Sequence, residues 1–152
     1  MVVYTVTIKG AAHSFSAAHF IVNHVKCSRL HGHNFHVEID ASGPLNEDNF
    51  VIDFMKIKEK LKEVIKPLDH HLLLPGNAPD VSIQQEGNSV TIEFSGKKYV
   101  FPQQDVVVLD LPAITSELLA KYVHERLQES FENMDIIVRI GETSTSEATY
   151  SG

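Results

Sequence analysis

The stretch Cys27-Ser28-Arg29-Leu30-His31-Gly32-His33-Asn34-Phe35-His36-Val37-Glu38-Ile39 decides the reading of this chain. In its second half His33, Phe35, Val37 and Ile39 share one parity, and Asn34, His36, Glu38 and then Asp40 take the other. That period belongs to a β-strand with one apolar face. Alternate strand residues point to the same side, so His31 and His33 open the strand as a pair able to approach one ion. His19, further upstream, supplies a third imidazole. Three neutral imidazoles suit zinc, and a three-ligand zinc keeps a fourth position for water or substrate. Gly32 leaves room for close approach. A His-x-His pair alone, in a chain with nine histidines, is also what chance produces; His19 and Cys27 lift the motif above that level.

Working outward, Tyr4, Val6 and Ile8 alternate with Thr5, Thr7 and Lys9, and Phe15, Ala17 and His19 resume on one parity after Gly10-Ala11-Ala12. This is extended chain with a bulge or bend near Gly10. Residues 21–30 follow neither period and form the loop that carries Cys27. Asp53 is placed to cap a helix in which Phe54, Ile57, Leu61, Val64, Ile65 and Leu68 recur at helical spacing, with Pro67 near its end. Residues 76–112 show no helical period. They read as short antiparallel strands over 81–86, 90–94 and 99–101, with turns at Gly87-Asn88 and Ser95-Gly96, and a further strand over 106–109. Thr115 starts a second helix with Leu118, Leu119, Tyr122, Val123, Leu127 and Phe131 on its buried face and Glu117 in its first turn. A strand over 136–140 leads into Glu142. This order predicts an α+β domain with a mainly antiparallel sheet and both helices on one face. Nothing resembling a linker divides it, so residues 1–152 are expected to be one domain.

The formal net charge of −7, from 20 acidic and 13 basic residues, argues against non-specific nucleic-acid binding. Lys26 and Arg29 flank the cysteine and serve either an anionic substrate or simply a solvated loop. One cysteine permits no intrachain disulfide, which favours the cytoplasm. No basic-then-apolar leader and no membrane-length apolar stretch is present, so a soluble protein is expected.

The residues also carry a family resemblance. Ser16-Ala17-Ala18-His19 followed by Cys27-x-x-x-His31-Gly32-His33 resembles the 6-pyruvoyltetrahydropterin synthase family, and more narrowly its 6-carboxytetrahydropterin synthase branch. The match continues through Val51-Ile52-Asp53-Phe54, Leu68-Asp69-His70-His71, Thr115-Ser116-Glu117 and Gly141-Glu142-Thr143, in the family's order and over most of the chain. The resemblance implies the T-fold, whose subunits join their sheets into barrels, usually as a homohexamer made of two trimers. The 76–112 segment, as a hairpin insertion before the second helix, departs from the shorter connection usual in the family.

Zinc held by His19, His31 and His33 would bind neighbouring oxygens of a substrate and stabilise charge when a carbon-bound proton is removed. Cys27 is the candidate base, provided its thiol is acidified, which zinc, Lys26 and Arg29 favour. A lone cysteine is otherwise a small buried apolar residue, but its polar neighbours argue against burial. Asp69 either orients His70 for proton transfer or caps the preceding helix. The resemblance implies that Asp69 and His70 join Cys27 in a catalytic relay, with partners often drawn from different subunits; His71 stays outside that group. It also implies that Glu142 anchors the pterin by accepting two parallel N–H bonds, assisted by Thr143 and Ser144. Thr115 to Glu117 and Phe54 match positions near the family's pocket, and capping and packing explain them equally well.

The substrate so implied is 7,8-dihydroneopterin triphosphate. The carboxy branch converts it to 6-carboxytetrahydropterin, acetaldehyde and triphosphate on the way to 7-deazaguanine nucleosides such as queuosine and archaeosine. The pyruvoyl branch keeps the side-chain carbons, and a third branch places a glutamate in the catalytic loop. Cys27, with no glutamate before His31, disfavours the third. A non-catalytic pterin-binding zinc protein is the alternative of another class.

Overall fold

The computed structural model describes residues 2–152, which group into two compact units. One contains the chain up to Phe15, Asn34–Pro67 and Ser116–Gly152; the other contains Ser16–His33 and Leu68–Thr115. The elements in chain order are β1 (Tyr4–Ile8), β2 (Ser14–His19), β3 (His31–Gly43), α1 (Phe54–Ile65), β4 (His71–Pro75), β5 (Ser82–Glu86), β6 (Ser89–Phe94), β7 (Lys97–Pro102), β8 (Val106–Leu109), α2 (Ser116–Gln128), β9 (Asp135–Thr143) and β10 (Ser146–Ser151). Short 3-10 turns occupy Lys66–Leu68 and Gln103–Asp105. The division between units falls inside β2 and inside β3.

In the first unit β3 is paired antiparallel with β1, from Tyr4↔Gly43 to Ile8↔Ile39, and with β9, from His36↔Gly141 to Ser42↔Asp135. β9 turns into β10. The alternation in β3 holds: Phe35, Val37, Ile39 and Ala41 are buried. On its other face Arg139 lies opposite Glu38 and reaches both Glu38 (3.3 Å) and Asp40 (2.6 Å). Asp53 caps α1 as expected, its carboxylate accepting from the Met55 amide at 2.8 Å. Ile57, Leu61, Val64 and Ile65 turn inward, and burying each such side chain contributes roughly 1.5–3 kcal/mol. Phe54 does not join them. It is 55% exposed although its spacing puts it on the stripe of Ile57 and Leu61, because it is the first helical residue and lies at the end of the packed face. α1 packs on α2, which lies against β9 and β10 through Leu119, Ala120, Val123, His124 and Leu127. Leu118, Tyr122 and Phe131 are only half-buried.

In the second unit β2 pairs in parallel with β4 (Ala17↔His71, Ala18↔Leu72), and β4 pairs in parallel with β8 (Leu72↔Val106 to Pro75↔Leu109). The expected antiparallel sheet is therefore mixed. Long connections separate β2 from β4 and β4 from β8, so no tight turn forces neighbouring strands to run in opposite directions. The strands β5, β6 and β7 form a separate antiparallel sheet, as the turn signals predict. Its buried side chains Val90, Ile92 and Phe94 pack with Phe20, Leu72 and Leu74. Among the described residues, no helix is long and apolar enough to cross a membrane.

Candidate active site

Three histidines of the second unit converge. One ligating nitrogen from each of His19, His31 and His33 lies within 4.8 Å of the other two. His19 is the last residue of β2 and is fully buried, while His31 and His33 open β3 on one parity. The rings stand 4.6 to 5.2 Å apart, centroid to centroid, and are tilted by 57 to 86° rather than stacked. Backbone carbonyls fix two of the tautomers. His19 Nδ1–H donates to Ile114 O at 2.8 Å, and His31 Nδ1–H donates to Arg29 O at 2.6 Å. Each bond leaves the Nε2 lone pair for an ion and holds the ring in place. A side chain on Gly32 would put its Cβ 3.0 Å from Ala17 O, so this position admits little more than hydrogen. The donor set fits a metal ion: three convergent ring nitrogens from one buried and two half-buried histidines, with carbonyls holding two of the rings from behind.

Cys27 lies half-buried in the turn-rich segment between β2 and β3. The segment closes on itself, with the Ile21 amide donating to Cys27 O at 2.8 Å and Ser28 N–H donating to His24 O at 3.0 Å. His24 Nδ1 accepts from the amides of Lys26 (3.2 Å) and Cys27 (2.9 Å), so a side chain supplies part of the loop's framework. The periodicity of the sequence could not reveal this role for His24, because a hydrogen bond within a loop leaves no repeat.

Asp69 and His70 directly precede β4. The Asp69 carboxylate accepts from the Ser16 amide at 2.8 Å, and His70 N–H donates back to Ser16 O at 2.6 Å. The other Asp69 oxygen faces His70 Nδ1 at 2.9 Å. The Ser16 amide, and secondarily His70, hold the Asp69 carboxyl below its ordinary value of 3.8. His70 has φ of +60°, a left-handed conformation uncommon outside glycine, and its side chain is 81% exposed. Of the two readings left open for Asp69, the geometry favours orientation of His70. His71, by contrast, turns its Nδ1 to Asp69 O at 2.8 Å.

Glu142 and Thr143 end β9 in the first unit. Glu142 is half-buried and accepts from the hydroxyl of Ser116, the first residue of α2, at 3.2 Å. In the sequence Ser116 belongs to the Thr115-Ser116-Glu117 motif near the family's pocket, which helix capping explained equally well. Thr143 is exposed, and its hydroxyl lies 3.0 Å from Thr145 Oγ1 and 3.4 Å from Ser146 Oγ in the β9–β10 turn.

A family model described as 6-pyruvoyl tetrahydropterin synthase matches residues 8–152. The chain belongs to the 6-pyruvoyl tetrahydropterin synthase family. Within this family, it is 35% identical over 138 residues to a Pyrococcus horikoshii protein named putative 6-carboxy-5,6,7,8-tetrahydropterin synthase, covering 88% of this chain and 83% of that one. A Haemophilus influenzae protein named 6-carboxy-5,6,7,8-tetrahydropterin synthase is 28% identical over 145 residues, covering 90% of this chain and 93% of the relative. Among solved structures of the family, a Plasmodium vivax 6-pyruvoyltetrahydropterin synthase superposes with a TM-score of 0.92 at 28% identity. That alignment covers 100% of this chain and 99% of the Plasmodium one, so the T-fold expectation holds. It includes residues 76–112, so this segment does not set the chain apart from that family member. Another solved form of the Plasmodium protein is described as a mutant in which a catalytic glutamate is replaced by alanine. The present chain has no glutamate between His19 and His33 and carries Cys27 there.

Proposed function

We propose that this chain is a zinc-dependent lyase, a 6-carboxy-5,6,7,8-tetrahydropterin synthase. It acts on 7,8-dihydroneopterin triphosphate, releasing 6-carboxytetrahydropterin, acetaldehyde and triphosphate, and serves 7-deazaguanine biosynthesis. The observation that carries this reading is the convergence of His19, His31 and His33 with two of their Nδ1 atoms committed to carbonyls. Cys27 in the intervening loop and the names of the curated relatives support the carboxy branch. Zinc, when bound, would supply Lewis-acid stabilisation of oxygen charge next to the carbon that loses a proton.

The chain's own residues divide the remaining work. Glu142, steadied by Ser116, accepts the amino-pyrimidinone N–H groups of the pterin, with Thr143 at the rim. Cys27 Sγ takes the carbon-bound proton. His70, held by Asp69 through Nδ1, exchanges a proton at Nε2, and its exposure leaves that atom open to a substrate. As the family resemblance implies, the relay draws its partners from neighbouring subunits of a homohexamer, a dimer of trimers. A soluble, cytoplasmic enzyme working on a free pterin, with no nucleic-acid or membrane partner, is the setting this implies.

The test is to incubate zinc-loaded protein with 7,8-dihydroneopterin triphosphate and identify products by mass spectrometry, with Cys27→Ala as control. Carboxytetrahydropterin and acetaldehyde, lost in the variant, are expected. A pyruvoyl product would move the chain to the sister branch, and pterin binding without turnover would make it a binding protein. Mixing and reassembling Cys27→Ala with His70→Ala, each inactive alone, should recover part of the activity if the two residues meet across subunits.

A further inference from the structure

The tip of the β6–β7 hairpin reaches the two segments on which the proposed chemistry depends. Ser95 and Gly96 both have positive φ, +50° and +75°, and form a two-residue turn that pairs Phe94 with Lys97. Such a turn matches the twist of a hairpin and fixes which side chains stand together at its end. Phe94 is 3% exposed and stacks on Phe20 with ring centroids 4.0 Å apart and planes 14° from parallel. Phe20 directly follows the metal-site residue His19. The Lys97 ammonium lies 5.5 Å from the centre of the Phe94 ring and donates to Ser28 O at 3.1 Å. Ser28 directly follows Cys27. The next carbonyl along, Arg29 O, accepts from His31 Nδ1. Two consecutive carbonyls beside Cys27 are thus held, one by a metal-site histidine and one by Lys97. Lys98, next in sequence, is exposed and only faces Glu93 at 3.8 Å.

We propose that Lys97 is a positioning residue: through Ser28 O it holds the Cys27 loop at the place where the thiol meets substrate. The aromatic ring beneath the lysine limits where its ammonium can go, so the hydrogen bond transmits the position of a packed hairpin to a turn-rich loop. The consequence for catalysis rests on the reading of Cys27 as the proton-moving group, whereas the tether itself does not.

The tether is tested by amide hydrogen exchange over residues 21–30, and its use by kcat and KM. Lys97→Met keeps the stem over Phe94 and removes the donor; Lys97→Arg restores a donor; Lys98→Met removes the same charge one residue away. Expected for Lys97→Met are exchange over 21–30 faster by about tenfold, unchanged protection of β6, and kcat lower by roughly tenfold with KM within about twofold. Lys97→Arg should recover most of both effects, and Lys98→Met should match the parent. Wild-type exchange in Lys97→Met, an equal change in Lys98→Met, or a loss confined to KM would each overturn the proposal. Should Lys97→Met not fold, Lys97→Leu, which also lacks a donor, reads the same tether. If the parent protein fails to turn over the pterin, the proposed function falls, while the exchange result still decides whether Lys97 holds the loop.

Discussion

The three histidines and Cys27 are close in sequence but are held in opposite ways. His19, His31 and His33 stand at strand ends whose backbone is fixed by pairing, and carbonyls of Ile114 and Arg29 lock two of the rings. Cys27 sits in a loop with no strand partner, tied by its own turns, by His24 Nδ1 and by Lys97. Under the proposed function, the difference matches the chemistry each would do. A metal needs nitrogens placed within tenths of an ångström, which a paired backbone and a fixed tautomer provide. A proton-moving thiol must approach substrate and withdraw, and a loop held by a few side-chain bonds can do so.

The contrast can be broken most severely at the histidines. His31→Ala removes one of three ligands and a bond to the loop, so bound zinc should fall from about one per chain to near zero after dialysis. Activity should drop by at least about 100-fold, checked by elemental analysis beside turnover. Retained stoichiometric zinc would show that the cluster is not the metal site.

On the loop side the effect should be smaller and of a different kind. His24→Ala deletes the acceptor for the Lys26 and Cys27 amides, and hydrogen bonds of this type are worth about 1 kcal/mol each. The expected outcome is kcat lower by roughly fivefold with zinc content unchanged. Loss of zinc in this variant would mean that loop and metal site are one mechanical unit, which would erase the contrast.

The smallest effect sharpens the account of the neighbouring Asp69–His70 pair. The Ser16 amide lowers the Asp69 pKa below 3.8, so the carboxylate contributes stability that is complete above that value and is lost as pH falls through the lowered one. Asp69→Asn should therefore melt lower than the parent at neutral pH, and the gap should close below about pH 3.8. Since the Asp69 side chain is 43% exposed, solvent screening keeps the gap to about 2 °C or less in a thermal melt. A gap that widens on acidification would reverse the sign and refute the Ser16 assignment.

Much of the architecture was legible because its signals are local. Asp53 as a cap, the inward stripe Ile57, Leu61, Val64 and Ile65, and the alternation along β3 each depend on residues a few positions apart. Two strands were not legible. β4 is a continuous apolar run, His71-Leu72-Leu73-Leu74-Pro75, with no alternation to separate strand from helix tail. β10, Ser146–Ser151, is polar and becomes a strand only by pairing with β9. Parallel pairing of β2, β4 and β8 was hidden for a similar reason, since strand direction depends on connections that carry no periodic mark.

The same division holds for the site. The sequence by itself determined which chemistry is present: three imidazoles, one thiol, an Asp-His pair and a late glutamate, because residue type and short spacing are covalent facts. Only the tertiary structure decided what supports them. Ile114 O behind His19, Ser16 beneath Asp69, Ser116 against Glu142 and Lys97 on the Cys27 loop are all contacts between distant positions. A carbonyl or an ammonium acquires such a role only where folding brings it within about 3 Å of its partner, and that distance is set by packing rather than by neighbouring residues.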